Sequence, residues 1–388
     1  MLIAGGGPNV TSDESTASAE LYDPVTGTFA ATGPMTVARS GHTATLLNTG
    51  RVLIAGGGAW QDANAAAAAD LYDPATGTFT ATGKMHEPSC DSATLLPDGK
   101  VLITRSFIQG PGTEVQHAER YDPSTGTFAF TGDTVYYHDG PTATLLTNGK
   151  VLIAGGDVGV GDGNSAAAEL YDPATGTFAP VSNMAQAREN HTTTLLPDGT
   201  ALLTGGHDVW YGDSAEVYDN VQAAFNLVTG MPTSREWHTA TLLNDGRALI
   251  AGGQDFTVSW AGLATAEFYT PPVQVPAPTL FSLSGDGKGQ GAIWHAQTGQ
   301  IAASQNPAVA GEILATYTTS LADGAVIPPQ VAIGSQLGEI LFFGDAPGYP
   351  GYYQVNFRMP NGVAPGSAVS VRLTYIGRPS NAVTIAVQ

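Results

Sequence analysis

Between positions 1 and 273 the chain is written in short apolar, β-branched runs of four or five residues, each closed by glycine, proline, asparagine or aspartate. TATLL and VLIA form one such pair. The PDG, TNG or NDG between them reads as a tight hairpin turn, with glycine taking the positive φ that closes it. In LYDPATGTF the tyrosine ends a strand, Asp and Pro start a turn, Gly leaves it, and Thr and Phe begin the next strand. The pattern predicts an all-β chain with four antiparallel strands per unit. The alanine run at 65–69 aligns with the start of the YDP strand and is expected to be strand despite its helix propensity.

The unit repeats with a period of about fifty residues. AELYDPVTGTF at 19–29 returns as ADLYDPATGTF at 69–79, AERYDPSTGTF at 118–128 and AELYDPATGTF at 168–178, then decays to AEVYDN at 215–220 and AEFYT at 266–270. Five copies of the TATLL–VLIA block lie between them, starting at His42, Asp91, Pro141, His191 and His238. Four strands per repeat, with GG after the second and Tyr in the third, is the pattern of a propeller blade. These residues resemble the kelch repeat, with Phe29, Phe79, Phe128, Phe178 and Phe225 where most kelch blades carry tryptophan. The resemblance implies a kelch-type β-propeller over 1–273 with six visible blades.

MLIAGGG at 1–7 matches VLIAGGG at 52–58, so the first blade lacks the innermost strand that should precede it. An amino terminus shortened by that strand and by an export signal is the expectation; the alternative is that a segment near 271–280 supplies the strand. After Tyr269 the period stops, and PPVQVPAPTL reads as a proline-rich linker. Residues 274–388 alternate in short strands and read as an immunoglobulin-like β-sandwich. The run from Leu341 to Gln388 resembles a carboxy-terminal domain of secreted bacterial repeat proteins of unknown role. That resemblance implies a secreted, periplasmic or cell-surface setting.

Charge narrows the partners. With 34 acidic and 14 basic side chains the net charge is −20, which repels phosphate backbones and anionic headgroups. Nucleic acid is excluded as a partner, and with no apolar run of spanning length so is membrane insertion. Cys90 is the single cysteine, so no intrachain disulfide and no multi-cysteine metal site can form. A monomer is the expected state.

Strands alternate direction, so the links after GG and the links between blades share one face, and that face carries the long divergent loops. Binding sites usually sit on such loops. The inter-blade links hold a recurrent set: Arg39 with His42, Arg188 with His191, and Arg235 with Trp237 and His238. Tyr137 stands just before the matching strand of the fourth blade. Imidazole and guanidinium suit hydroxyl-rich or carboxylate ligands, and Trp60, Trp210, Trp237 and Trp260 suit stacking on sugar faces. The competing reading is that each Arg and His braces its own loop. Asp157, Asp162, Asp208 and Asp213 carry oxygens for calcium but lack regular ligand spacing, and read as solvated loop.

EWHTATLLNDGRALIAGG is also similar to the copper-ligand segment of galactose oxidase, where a Tyr and a His precede the same inner strand. The similarity puts His238 on the ligand histidine and Trp237 on the tyrosine. It puts Cys90 on the cysteine crosslinked to a second tyrosine, whose matching position is Gly140, with Tyr136, Tyr137 and His138 just before it. A copper set on this reading is His238, Tyr137 and Cys90; that family's second histidine, from its terminal sandwich, has only His295 to match it here. The first expectation is a non-catalytic module, without a cofactor, that binds extracellular carbohydrate or protein. The alternative is a copper-dependent alcohol or carbohydrate oxidase, or a degenerate relative of one.

Overall fold

A computed structural model of the chain describes residues 1–7, 15–57, 63–88, 90–105, 107–110, 113–115, 117–158, 163–206, 212–255, 261–271, 277–321, 327–376 and 378–388. Its contacts divide it into two units. One holds Met1–Thr193, Leu203–Trp237 and Gly253–Gly262; the other holds Thr194–Leu202, His238–Gly252 and Leu263–Gln388.

The described residues of the repeat form six blades of antiparallel strands, counted on those residues. Blade one has three strands, Leu2–Ala4, Ala19–Asp23 and Thr28–Ala31. Blades two to five have four each; in blade two these are Thr43–Leu46, Val52–Ala55, Ala69–Asp73 and Thr78–Ala81. Blade six has three, Thr239–Leu242, Ala248–Ala251 and Ala266–Tyr269. The alanine run departs from expectation: Ala63–Ala66 is a turn of α-helix and the strand begins at Ala69. Ala69 is the last residue paired to the second strand, opposite Ala55, and alanines beyond the ladder revert to their helix preference.

Each YDPxTGTF turn sets a tyrosine against a phenylalanine across neighbouring strands. In blade two Tyr72 faces Phe79 with ring centroids 4.7 Å apart, and Tyr121–Phe128, Tyr171–Phe178 and Tyr218–Phe225 repeat the arrangement. These tyrosines are fully buried, so each phenol needs a partner. For three of the four a threonine of the preceding blade supplies it: Thr32 for Tyr72 at 3.0 Å, Thr82 for Tyr121 at 2.9 Å and Thr131 for Tyr171 at 2.9 Å. The motif thus fastens blade to blade through one hydroxyl pair.

The carboxy-terminal region forms one seven-stranded antiparallel sheet. Ile293–His295, Ile313–Thr318 and Tyr353–Arg358 lie to one side of the long strand Gln336–Asp345, and Gln330–Ile333, Gly366–Tyr375 and Arg378–Val387 lie to the other. The sheet curls, and its last strand bridges back to Gln290 and Ala308. Leu314, Val355 and Phe357 of one half share a core with Val371, Val383 and Ile385 of the other. The two layers expected of a sandwich are therefore two halves of a single curled sheet.

Candidate functional site

Among the described residues the link arginines are the largest fully buried side chains: Arg39, Arg188 and Arg235 are 0%, 1% and 0% exposed. Arg39 donates from Nη1 to Gly56 O and Ala68 O, both at 2.8 Å, and from Nη2 to Asp70 Oδ2 at 3.2 Å. Arg188 repeats this on Gly205 O at 2.7 Å, Ser214 O at 3.2 Å and Glu216 Oε1 at 2.9 Å. Each guanidinium ties its link to the end of the second strand and to an acid on the third. That acid also holds the link backbone, as Glu216 accepts from Ala185 N at 2.7 Å. A ligand would have to break a buried ion pair to reach either arginine.

The same joint exists where no arginine marks it. In blade four His138 takes the place: Nδ1 donates to Gly155 O at 2.6 Å, and Nε2 lies 3.3 Å from Glu169 Oε1. Blade three uses His86, 2.7 Å from Glu119 Oε2, while Arg105 replaces the first glycine and reaches Glu87 at 3.1 Å. Reading for site arginines misses these, although an acid follows the first alanine in every AELYD-type block.

The histidines sit over glycines of the preceding blade. A Cβ on Gly5 would lie 2.8 Å from His42 Cε1, and one on Gly155 would lie 2.6 Å from His191 Cε1. His191 Nε2 is 3.1 Å from Thr142 Oγ1. Burial, with the Arg39 charge adding to it, pulls His42 below the ordinary imidazole range. His238 is buried.

Two residues after the brace in blades two, four, five and six, the backbone is left-handed. Gly41 and Gly140 have φ 66° there, Asn190 has 53° and Trp237 has 49°. Tryptophan in this region costs about 1–2 kcal/mol that glycine avoids. Trp237 is nevertheless 55% exposed, so its ring does not recover that cost by core burial. Its N–H donates to Asn190 O at 3.1 Å, which joins the links of blades five and six. Beside it Glu236 is 1% exposed and its Oε1 is buried without a hydrogen bond. Burial pushes the Glu236 carboxyl up to about 7, against the pull of the Asn190 side chain and with the help of Glu189. In blade four, burial and the neighbouring Asp157 likewise raise Asp139.

The remaining expectations fall elsewhere. Trp60, Trp210, Trp260, Asp162 and Asp208 lie outside the described residues. Tyr137 is buried, and Tyr136 stands edge-on to His138 at 6.0 Å. Asp157 exchanges backbone bonds with Asp139, and Asp213 is exposed with its carbonyl accepting from Met231. His295 lies in the carboxy-terminal sheet, 2.7 Å from Glu312 Oε2.

Cys90 packs in the core of blades two and three, with Sγ 3.3 Å from Thr43 Oγ1 and 3.5 Å from Ser92 O. A Cβ on Gly56 would fall 2.5 Å from its Cβ. Burial pushes the thiol up to about 12, the reverse of what a nucleophile or metal ligand needs. The donor set does not fit a copper–phenolate centre: Trp237, whose indole is no ligand, and Gly140, with no side chain, stand where that chemistry requires two phenolates. Among the described residues no group of three His, Cys, Asp or Glu is placed to hold a metal ion.

No protein-family model matches the chain, and no curated protein matches it. A solved structure is similar: a novel fungal alcohol oxidase with catalytic diversity among the AA5 family, in complex with copper. The likeness covers 100% of this chain and 94% of that one, with 16% identity and a TM-score of 0.50. At that identity what is shared is the fold.

Proposed function

We propose that the chain is a secreted recognition module whose propeller binds an extracellular carbohydrate, or a glycan-like surface of a protein, at Trp237. One observation carries the reading: an exposed tryptophan is held at a left-handed position that blades two and four give to glycine. Backbone strain kept at an exposed aromatic argues for use of its ring. An indole face stacks on a pyranose, and the half-buried Asn190 amide and Glu189 carboxyl supply groups for hydroxyls. The arginines serve as braces and contribute rigidity rather than contacts.

The test is a glycan array probed with the purified chain and with Trp237→Gly. Binding lost in the variant supports the reading; binding retained removes Trp237 from it.

A second reading, a copper-dependent alcohol oxidase or a degenerate relative, draws on the fold neighbour. It stands second because of Gly140 and Trp237 at the phenolate positions. Purification with excess copper and oxygen separates the two: a thioether on Cys90, or alcohol-dependent peroxide release lost on replacing His238, supports the oxidase.

A further inference from the structure

The carboxy-terminal sheet has an outward face that its core does not use. Register sets Trp294 opposite Ala315, Ala315 opposite Asn356, Asn356 opposite Phe342, and Tyr317 opposite Gln354. Side chains alternate along strands, so these residues share one side of the sheet. Leu314, Val355 and Phe357, on the other side, fill the core.

The outward set is aromatic rings with amides between them. Trp294 and Tyr317 lie 4.8 Å apart at 64°, and Tyr349, from the turn beyond the long strand, meets Tyr317 at 5.6 Å. Gln354 Nε2 donates to Asn356 Oδ1 at 2.8 Å, which fixes both amides in the surface. Phe342 lies down over Gly344, where a Cβ would approach its Cζ to 3.3 Å. Phe342 and Tyr349 remain 44% and 56% exposed. At the end of the face Arg358 and Glu339 are bonded to each other at 2.8 Å, so that pair offers a ligand no net charge.

A contiguous outward row of aromatics marks an interaction surface. Its chemistry selects the partner: ring faces suit the C–H faces of pyranose units, and an interleaved amide pair suits their hydroxyls. The paired charge at its edge and a net charge of −20 select against polyanions. We propose that this face binds a neutral polysaccharide chain, independently of the propeller site.

Affinity electrophoresis of the full chain through gels containing hydroxyethylcellulose or galactomannan, with polygalacturonate as the acidic counterpart, tests this. Expected, measured in a Trp237→Gly background so that the propeller site does not contribute, is retardation by at least one neutral polymer, with affinity reduced about tenfold by Phe342→Ala or Tyr317→Ala. Tyr349→Ala, in a turn outside the strands, should weaken retardation without moving the melting temperature, which separates lost contact from lost fold. Mobility unaffected by both neutral polymers, retardation by polygalacturonate alone, retardation in all three aromatic variants equal to that of the unsubstituted protein, or self-association through this face in sedimentation would overturn the proposal.

Discussion

Tyr218 buries its phenol without a hydrogen bond because Val181 stands where the other blades place a threonine. Val181 N donates to Ala168 O at 3.0 Å just as Thr32 N donates to Ala19 O, so the backbone register is preserved and only the hydroxyl is missing. Val181→Thr should restore the bond that Thr32, Thr82 and Thr131 make and raise stability by about 1 kcal/mol. Urea melts of the two proteins check it; a less stable variant would mean that Tyr218 is satisfied in another way.

The Arg188–Glu216 pair, both side chains buried, should behave as a brace. Arg188→Met leaves Glu216 uncompensated and is expected to cost about 3–5 kcal/mol, whereas Arg188→Met with Glu216→Met together should recover much of that loss. Chemical denaturation of the single and double variants measures the difference. A single variant as stable as the parent would contradict the brace.

Glu236 gives stability a pH dependence of known sign. Burial raises its folded carboxyl from the ordinary 4.5 to about 7, so the fold favours the protonated form. That contribution is full below the unfolded value and is lost as pH rises through about 7. Melting temperatures from pH 5 to 8 should fall more for the parent than for Glu236→Gln; parallel curves would show that the carboxyl does not titrate in that range.

The blades were legible because a propeller writes its turns into the sequence: the glycine of YDPxTG and the Tyr–Phe pair need particular residues at fixed spacing. The braces were half legible. Arg39, Arg188 and Arg235 stand out by repetition, but only burial shows that Arg39 and Arg188 turn inward, and His138 in the arginine's place carries no sequence signal of its role. The strain at Trp237 was hidden for a related reason, since a left-handed φ appears only when Gly41, Gly140, Asn190 and Trp237 are superposed as one backbone position. The aromatic face of the carboxy-terminal sheet depends on strand register across residues 294 to 356, which alternation alone does not fix.

Trp237→Gly removes the ring and relieves the backbone in one change, and so separates the use of Trp237 from its strain. Thermal melting and glycan-array binding measured on the same preparation should move apart: stability unchanged or higher by about 1 kcal/mol, as glycine fits a left-handed position, and ligand binding abolished. Binding that survives in a stable Trp237→Gly protein would contradict a ligand site at Trp237.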